Sequence, residues 1–451
     1  MKILCADYVL PISAEVIENG AAAIDKTQIV AVGTRREIVG KYPEAVVENF
    51  GEAAIMPGLV NCHSHLEITA MRGFLDDVEN DFYSWLMKLT TTRAEKLTDA
   101  DIKIAALAGA LEGVRAGVTC FGDIGRFGVA GFEALKTNGL RGLIYQETEF
   151  SPDDATAGDD FAKLKDKFLS LKATETALVK VGLSPHAPYT VSRRLFEQIT
   201  DYALAENFKV SIHAAESNQE RDLFLTGKGF FAELYRKLNL DGRSPGKSPV
   251  EYLADIGALQ SKPLLAHCIK VSDDDIKLIA ESHSCIAHCP KSNAKFGHGI
   301  APLEKFTNAK ISVGFGSDSV ASNNVCDILE EARFATLSAR NLPDKKRFLT
   351  TREIIETATL GGAKALGLES EIGSLELGKQ ADLIVVSLNN IAQQPVHDVY
   401  SAILYASNAR DVVMTMVAGV EICRDGAALK VDEAEIKARM KEIGTKMSDM
   451  N

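Results

Sequence analysis

Ile55-Met56-Pro57-Gly58-Leu59-Val60-Asn61-Cys62-His63-Ser64-His65 is an apolar run that ends in two imidazoles one residue apart. A run of this length and composition reads as a strand, here Ile55–His63. Side chains two positions apart on a strand share a face, so His63 and His65 point the same way. The pattern recurs along the chain. Further strands are expected at Gly117–Asp123, Leu140–Tyr145, Val179–Ser184, Val210–His213, Leu264–His267, Cys285–Cys289 and Ile311–Ser317. Amphipathic segments such as Asp101–Arg115, Leu195–Ala205 and Asp273–Ser282 lie between them. Eight strand–helix units over residues 59–370 predict an α/β fold, a (β/α)8 TIM barrel. A doubly wound open sheet is the other way to stack such units, but none of them opens on GxGxxG.

The polar residues gather at the C-terminal ends of these strands. Strand four runs into Pro185-His186, strand five into His213-Ala214-Ala215-Glu216, strand six into His267, strand seven into His288 and strand eight into Ser317-Asp318. Six of the nine histidines sit there, on the face where barrel loops assemble an active site. His283, His298 and His397 lie elsewhere and are expected to be ordinary hydrogen-bonded residues. Converging imidazole and carboxylate suit zinc or iron(II). His63, His65, His213 and Asp318 offer three nitrogens and one oxygen and leave room for water, whose pKa a bound metal lowers from about 16 toward about 7. Hydroxide attack on an electron-poor ring carbon still needs a proton shuttle. Glu216, three residues past His213, is the expected general acid/base. His267 is expected to orient the attacking water, and Asp318 to share in proton transfer.

The ends of the chain have another texture. Short apolar runs between turn residues occupy Lys2–Val9, Ala21–Ile24, Gln28–Val32 and Ala45–Glu48, then Ala381–Val386, Val412–Val417 and Glu421–Arg424. They predict a small β-domain built from residues 1–58 and 371–426, since chain ends often lie close together. Residues 427–451 read as a terminal amphipathic helix for packing or oligomer contact, and 151–176, rich in Asp, Ala and Thr, as a surface excursion. Lys+Arg is 50 against Asp+Glu 62, a net charge of −12 without a basic cluster. That balance argues against nucleic acid or an anionic membrane as partner. No stretch approaches the roughly 20 apolar residues of a membrane helix, and Lys2 and Asp7 come too early for a signal peptide. The eight cysteines are scattered without CxxC pairs and read as reduced, mostly buried thiols. A cytoplasmic enzyme with a small-molecule substrate is the expectation.

The chain resembles the amidohydrolase superfamily over essentially its whole length. The branch is that of S-adenosylhomocysteine, methylthioadenosine and guanine deaminases and the triazine chlorohydrolases. Pro57–His65, Met71-Arg72-Gly73, Ser184–Thr190, His213–Glu216 and Ala266-His267-Cys268 carry the likeness. His288-Cys289-Pro290-Lys291-Ser292-Asn293, Gly316–Ser319 and Gly373–Leu383 complete it. The resemblance implies one Zn2+ per subunit (Fe2+ also fits) on His63, His65, His213 and Asp318, a terminal β-sandwich, and a homo-oligomer. Two-metal members carry a carboxylated lysine at the end of strand four. Here that place holds His186, which disfavours a cyclic amidase. In the nucleoside deaminases its counterpart contacts the sugar, so His186 is assigned to the substrate, together with His288 and Asn293.

Substrate choice turns on departures from the pattern. Methylthioadenosine and S-adenosylhomocysteine deaminases usually carry a ribose-gripping glutamate shortly after a tryptophan. Here Trp85 is followed by no carboxylate until Glu95, and the first motif continues into Glu67. Both departures, with Phe82-Tyr83-Ser84-Trp85-Leu86, are more similar to the aminodeoxyfutalosine deaminases, whose substrate is an adenine nucleoside carrying a benzoate. Trp85 and Glu67 are expected at the substrate, and Arg93 as a bidentate clamp on that carboxylate. The expected activity is hydrolytic deamination of an adenine-type nucleoside, 6-amino-6-deoxyfutalosine before methylthioadenosine or S-adenosylhomocysteine. Alternatives are a triazine or other N-heterocycle chlorohydrolase or deaminase, and a guanine deaminase-like enzyme. A metal-free scaffold of the same fold is disfavoured because all four ligands, Glu216 and His267 are present.

Overall fold

The computed structural model describes residues 1–240 and 246–448. Five strands come first: β1 (Lys2–Val9), β2 (Ile17–Asp25), β3 (Gln28–Thr34), β4 (Val46–Asn49) and β5 (Ala53–Pro57). Eight more alternate with helices: β6 (Leu59–Ser64), β7 (Val118–Gly125), β8 (Arg141–Glu147), β9 (Val179–Ser184), β10 (Ser211–Ala214), β11 (Leu264–His267), β12 (Cys285–His288) and β13 (Val313–Phe315). The chain then returns through β14 (Leu383–Ser387), β15 (Val412–Val417), β16 (Val420–Arg424) and β17 (Ala427–Ala428).

The run expected as one strand, Ile55–His63, is two. β5 belongs to the terminal sheet and β6 to the barrel, and Gly58 makes the step between them. A Cβ at Gly58 would meet the Thr119 hydroxyl at 2.1 Å, so only glycine lets the backbone pass this close. Its N–H donates to the Asp382 carbonyl at 3.0 Å, which ties the crossing to the returning chain.

β6–β9 and β10–β13 are two parallel four-stranded runs. Single bridges, Leu183↔Val210 and Ser64↔Asp318, join them at both seams and close a ring of eight. Val60, Cys62, Cys120, Leu143, Tyr145, Leu264 and Ala287 form one buried cluster. They come from strands on opposite sides of the ring, which places the cluster inside it. With its interior packed, the barrel offers its C-terminal mouth for chemistry.

The strands from both termini make one nine-stranded sheet in the order β17-β16-β15-β14-β5-β1-β2-β3, with β4 beside β1. It curls until Gln28, at the start of β3, bridges Gln380, just before β14. Leu4, Val9, Ile29, Ile55, Leu383 and Met414 fill the curl. The sandwich expected from both termini is thus built by one continuous, curled sheet. Residues 151–176 also differ from expectation. Ala157–Lys172 is a helix whose Ala157, Leu164, Phe168 and Leu171 are buried, a stripe hidden among the charged residues of its wet face. Helix Glu433–Ser448 lies on helix Asp99–Arg115 through Arg115–Glu433 (2.6 Å) and Lys446–Asp101 (2.7 Å). All eight cysteines are free and seven are buried. Among the described residues, no helix is long and apolar enough to cross a membrane.

Barrel and terminal sheet meet at a buried ion pair. Arg141, at the start of β8, donates from Nε to Asp382 Oδ2 (2.8 Å), from Nη2 to Asp382 Oδ1 (3.3 Å) and from Nη1 to Glu371 (2.9 Å). The two side chains of the central pair are 4% and 1% exposed. Removing one partner of such a pair strands a buried charge, at about 3–5 kcal/mol. Arg141→Met is expected to lower the melting temperature measured by calorimetry, and adding Asp382→Asn to recover part of the loss. An unchanged melting temperature in the single variant would count against this joint.

Candidate metal centre and active site

The strand ends are shaped to aim side chains into the mouth. Ala215 (φ 53°), His267 (72°), Cys268 (48°) and Asp318 (55°) hold left-handed backbone without being glycine, a strain that concentrates at functional sites. On the first barrel strand the pairing of β6 with β7 shifts register between Asn61 and Ser64, a bulge that re-aims the histidines. Gly316 leaves them room, because a Cβ there would strike the His63 Cβ at 2.7 Å.

His63, His65, His213 and Asp318 come together. Asp318 Oδ1 lies 3.4 Å from His63 Nε2 and 3.6 Å from His65 Nε2. His65 Nε2 and His213 Nε2 are 3.3 Å apart. Ligand atoms of the trio His63, His65 and Asp318 lie within 4.8 Å of one another, as do those of His63, His213 and His267. The tautomers test whether a cation fits. His65 Nδ1 is 3.1 Å from the Ile124 carbonyl, and His213 Nδ1 is 2.9 Å from the His186 carbonyl. A carbonyl only accepts, so both Nδ1 atoms carry the proton and both Nε2 atoms present lone pairs to each other. His63 is buried with neither ring nitrogen hydrogen-bonded. Facing lone pairs beside a carboxylate repel unless a cation lies among them, so this donor set fits a metal such as zinc or iron(II). Burial also keeps His63, His65 and His213 below the usual imidazole range, in the neutral form that ligates.

Glu216 stands beside this cluster, its Oε1 3.8 Å from His267 Nε2 and 3.9 Å from His298 Nε2. Burial raises its pKa, and His267 offsets that only in part. The backbone N–H of Glu216 donates to Glu220 Oε2 at 2.8 Å, which fixes the turn from which the side chain springs. His267 Nδ1 is 2.9 Å from Asn293 Oδ1, so the proton sits on Nδ1 and Nε2 turns toward Glu216.

The pocket above is walled on one side by Phe82, Trp85 and Phe296. Trp85 and Phe82 meet Phe296 edge-on with centroids 4.9 and 5.4 Å away. Helix Phe82–Lys96 supplies the first two, its N-terminus capped by Asp81. The other end of the pocket holds Glu67, Arg93, Arg126, Glu147 and His186. Arg93, the expected carboxylate clamp, lines this end and already pairs through Nη1 with Glu67 Oε1 at 2.7 Å. Glu67 in turn accepts the N–H groups of Arg126 (3.2 Å) and Phe127 (2.9 Å), which engages it in holding the turn after β7. His186 lines the pocket, with Nδ1 2.8 Å from the Thr190 hydroxyl. His288 and Asn293 do not line it. His288 is buried against Phe315, and Asn293 serves His267.

Arg126 and Phe296 line this pocket without having been singled out in the sequence, and two more residues escaped it. Glu147, at the end of β8, lies 3.3 Å from Arg126 Nε and 4.0 Å from His186 Nε2. The strand-end rule would have found it had β8 been extended past Tyr145. His298 is no ordinary loop residue but a buried neighbour of Glu216. It follows a helix rather than a strand, so its only mark in the sequence is the glycine on either side. His283 and His397 are exposed and lie away from the pocket lining.

The amidohydrolase family model matches residues 54–422. A 5-methylthioadenosine/S-adenosylhomocysteine deaminase of Thermodesulfovibrio yellowstonii is 32% identical over 441 residues, which span 96% of each chain. The crystal structure of an adenosine deaminase from Xanthomonas campestris with bound zinc aligns at a TM-score of 0.87 and 27% identity, over 100% of this chain and 99% of its own. Helicobacter pylori aminofutalosine deaminase, in complex with methylthio-coformycin, aligns at 0.78 and 23% identity, over 94% of this chain and 100% of its own. At that identity the last likeness is one of fold. The family match runs from β5, the strand before the barrel, to β16 in the returning sheet, and on that extent this chain belongs to the amidohydrolase family, as its motifs led us to expect.

Proposed function

We propose that this chain is a metal-dependent aminohydrolase that replaces the exocyclic amino group of a 5′-substituted adenine nucleoside with oxygen and releases ammonia. Family membership makes it a hydrolase of C–N bonds outside peptides. The observation that carries the finer reading is Glu216, a buried carboxyl 3.8 Å from His267 beside a His/Asp cluster and below an aromatic wall. His63, His65, His213 and Asp318 would hold zinc, or iron(II), which when bound supplies an activated water at neutral pH.

Hydrolysis at an amino-substituted ring carbon requires a proton on the neighbouring ring nitrogen and, later, a proton on the departing amino group. One carboxyl can deliver both if it regains a proton in between. Burial raises the pKa of Glu216, which suits that alternation. His267, its tautomer fixed by Asn293, turns Nε2 toward the same space and orients the attacking oxygen. Phe82, Trp85 and Phe296 exclude water and offer aromatic faces and edges to a flat base. The named substrates of the relatives, methylthioadenosine, S-adenosylhomocysteine, adenosine and aminofutalosine, all suit such a wall. At the far end two guanidinium groups, Arg93 and Arg126, await the 5′ substituent. They favour a carboxylated tail, first 6-amino-6-deoxyfutalosine, then S-adenosylhomocysteine, ahead of methylthioadenosine.

Ammonia release and the adenine-to-hypoxanthine ultraviolet shift, read on metal-loaded protein against those nucleosides and adenosine, with guanine and a chlorotriazine as outliers, test this reading. Silence on every adenine nucleoside would overturn it, and turnover of the chlorotriazine alone would favour dehalogenation. Glu216→Gln is expected to keep its metal and lose about 10²–10⁴-fold in kcat. Asp318→Ala, by contrast, should emerge from purification with metal well below one equivalent by elemental analysis. Arg93→Met should weaken turnover of a carboxylated nucleoside by about tenfold or more, the worth of a charge-assisted bond, and leave adenosine nearly unchanged. Equal losses on both would discard the clamp and leave the chemistry intact.

A further inference from the structure

Oε1 of Glu216 faces imidazoles on two sides. One is His267; the other, His298, has no part in the reading above. The His298 ring is buried, and its Nε2 has no hydrogen-bond partner although it points at Oε1 from 3.9 Å. A buried N–H without an acceptor costs about 1–3 kcal/mol, and the carboxyl oxygen is the acceptor it faces. The ring is held in that attitude from both sides. It stacks on Phe296 (centroids 5.3 Å, planes 27° apart) and takes the edge of Phe82 (5.3 Å, 73°). Gly297 (φ 65°) and Gly299 (φ 109°) flank it with left-handed backbone, which turns the chain sharply enough to bring the ring inward. His298 N–H donates to the Asn293 carbonyl at 2.9 Å, while the Asn293 side chain holds His267. One residue thus ties both imidazoles that bracket Glu216.

We propose that His298 is a positioning residue, whose Nε2–H donates to Glu216 Oε1 and holds the carboxyl in one orientation while it moves protons. This rests on the reading of Glu216 as the general acid/base. The separation is about 1 Å longer than a hydrogen bond, a gap that a small rotation of Glu216 closes, and such bonds often tighten only with substrate in place. Burial above all brings the His298 pKa down to about 4. At neutral pH the ring therefore carries no charge and brings one N–H. Phe296, not His298, lines the pocket, so the imidazole acts on the carboxyl and not on the substrate.

A double-mutant cycle on the metal-loaded enzyme tests this, with the most active nucleoside of the panel. His298→Ala is expected to lower kcat about 10–100-fold, as loss of a residue orienting a reacting group does, with KM and metal content unchanged. His298→Gln, which keeps an N–H donor, should recover most of that loss. In a Glu216→Gln background His298→Ala should change nothing further. An equal fall in both backgrounds, a rise in KM at constant kcat, or wild-type kcat in His298→Ala would each overturn the proposal. An activity-independent measurement separates its failure from a wrong substrate class. In 15N-histidine spectra of the metal-loaded protein, the His298 Nε2 resonance, assigned by its absence in His298→Gln, should be that of a protonated nitrogen. It should also move in Glu216→Gln. A resonance that stays put would overturn the proposal whatever the substrate.

Discussion

Two imidazole lone pairs 3.3 Å apart, with a carboxylate oxygen beside them, form an arrangement a protein does not adopt by default. Left to themselves, His65 and His213 would rotate apart and find water. What prevents this is backbone. The Ile124 and His186 carbonyls take the two Nδ1 protons and so dictate which nitrogen faces inward. Those carbonyls hold their places because β7 and the residues after β9 are locked into a ring. One seam of that ring is the Ser64–Asp318 bridge, and Asp318 N–H donates to the carbonyl of His63 itself. Closing the barrel and assembling the donor set are thus a single event. The left-handed residues at the strand ends, the bulge in β6 and the absent Cβ of Gly316 are local concessions to it.

Much of this was legible because a barrel reports its active site through position. His63, His65, His186, His213, His267 and Asp318 each close a strand, and strand ends can be read from alternation and length. The terminal sheet was visible as short apolar runs, but not its continuity. Whether two sets of strands stack as layers or join edge to edge depends on how far the sheet curls, and Gln28 meeting Gln380 leaves no mark in composition. Helix Ala157–Lys172 was hidden because its buried stripe is narrow and its wet face dominates the count. His298 was hidden for a different reason. Its place depends on a helix, a turn, the adjacent Phe296 and the distant Phe82, and no local period encodes such a meeting. Arg93 shows the reverse limit, since the sequence offers a guanidinium and cannot say that Glu67 already holds one arm of it.

The pocket's two ends obey different physics. Around the aromatic wall the groups are neutral and dry, and selectivity there comes from shape. At the Arg93–Arg126 end each cation already has a carboxylate partner, in Glu67 and Glu147. A ligand tail arriving there joins existing pairs instead of meeting bare charge. That lowers the desolvation it must overcome, because the guanidinium groups are already organised and partly shielded from water. It also limits the gain, so a carboxylated tail must match the fixed geometry of these pairs as well as their charge.

The step at Gly58 has a consequence for how the chain reaches this state. β5 pairs antiparallel with β14, Leu383 opposite Pro57, across the entire length of the barrel. During synthesis β1–β5 emerge first, yet the edge of β5 that faces β14 has no partner until the barrel has been made. Contacts of such long sequence separation form late and slowly. The N-terminal strands therefore spend that interval with an open, apolar edge, Ala53-Ala54-Ile55-Met56, that other chains can extend. The tie that gives the finished molecule its joint between sheet and barrel cannot form before Leu383–Ser387 has been made, and until then the nascent chain is exposed to misassociation.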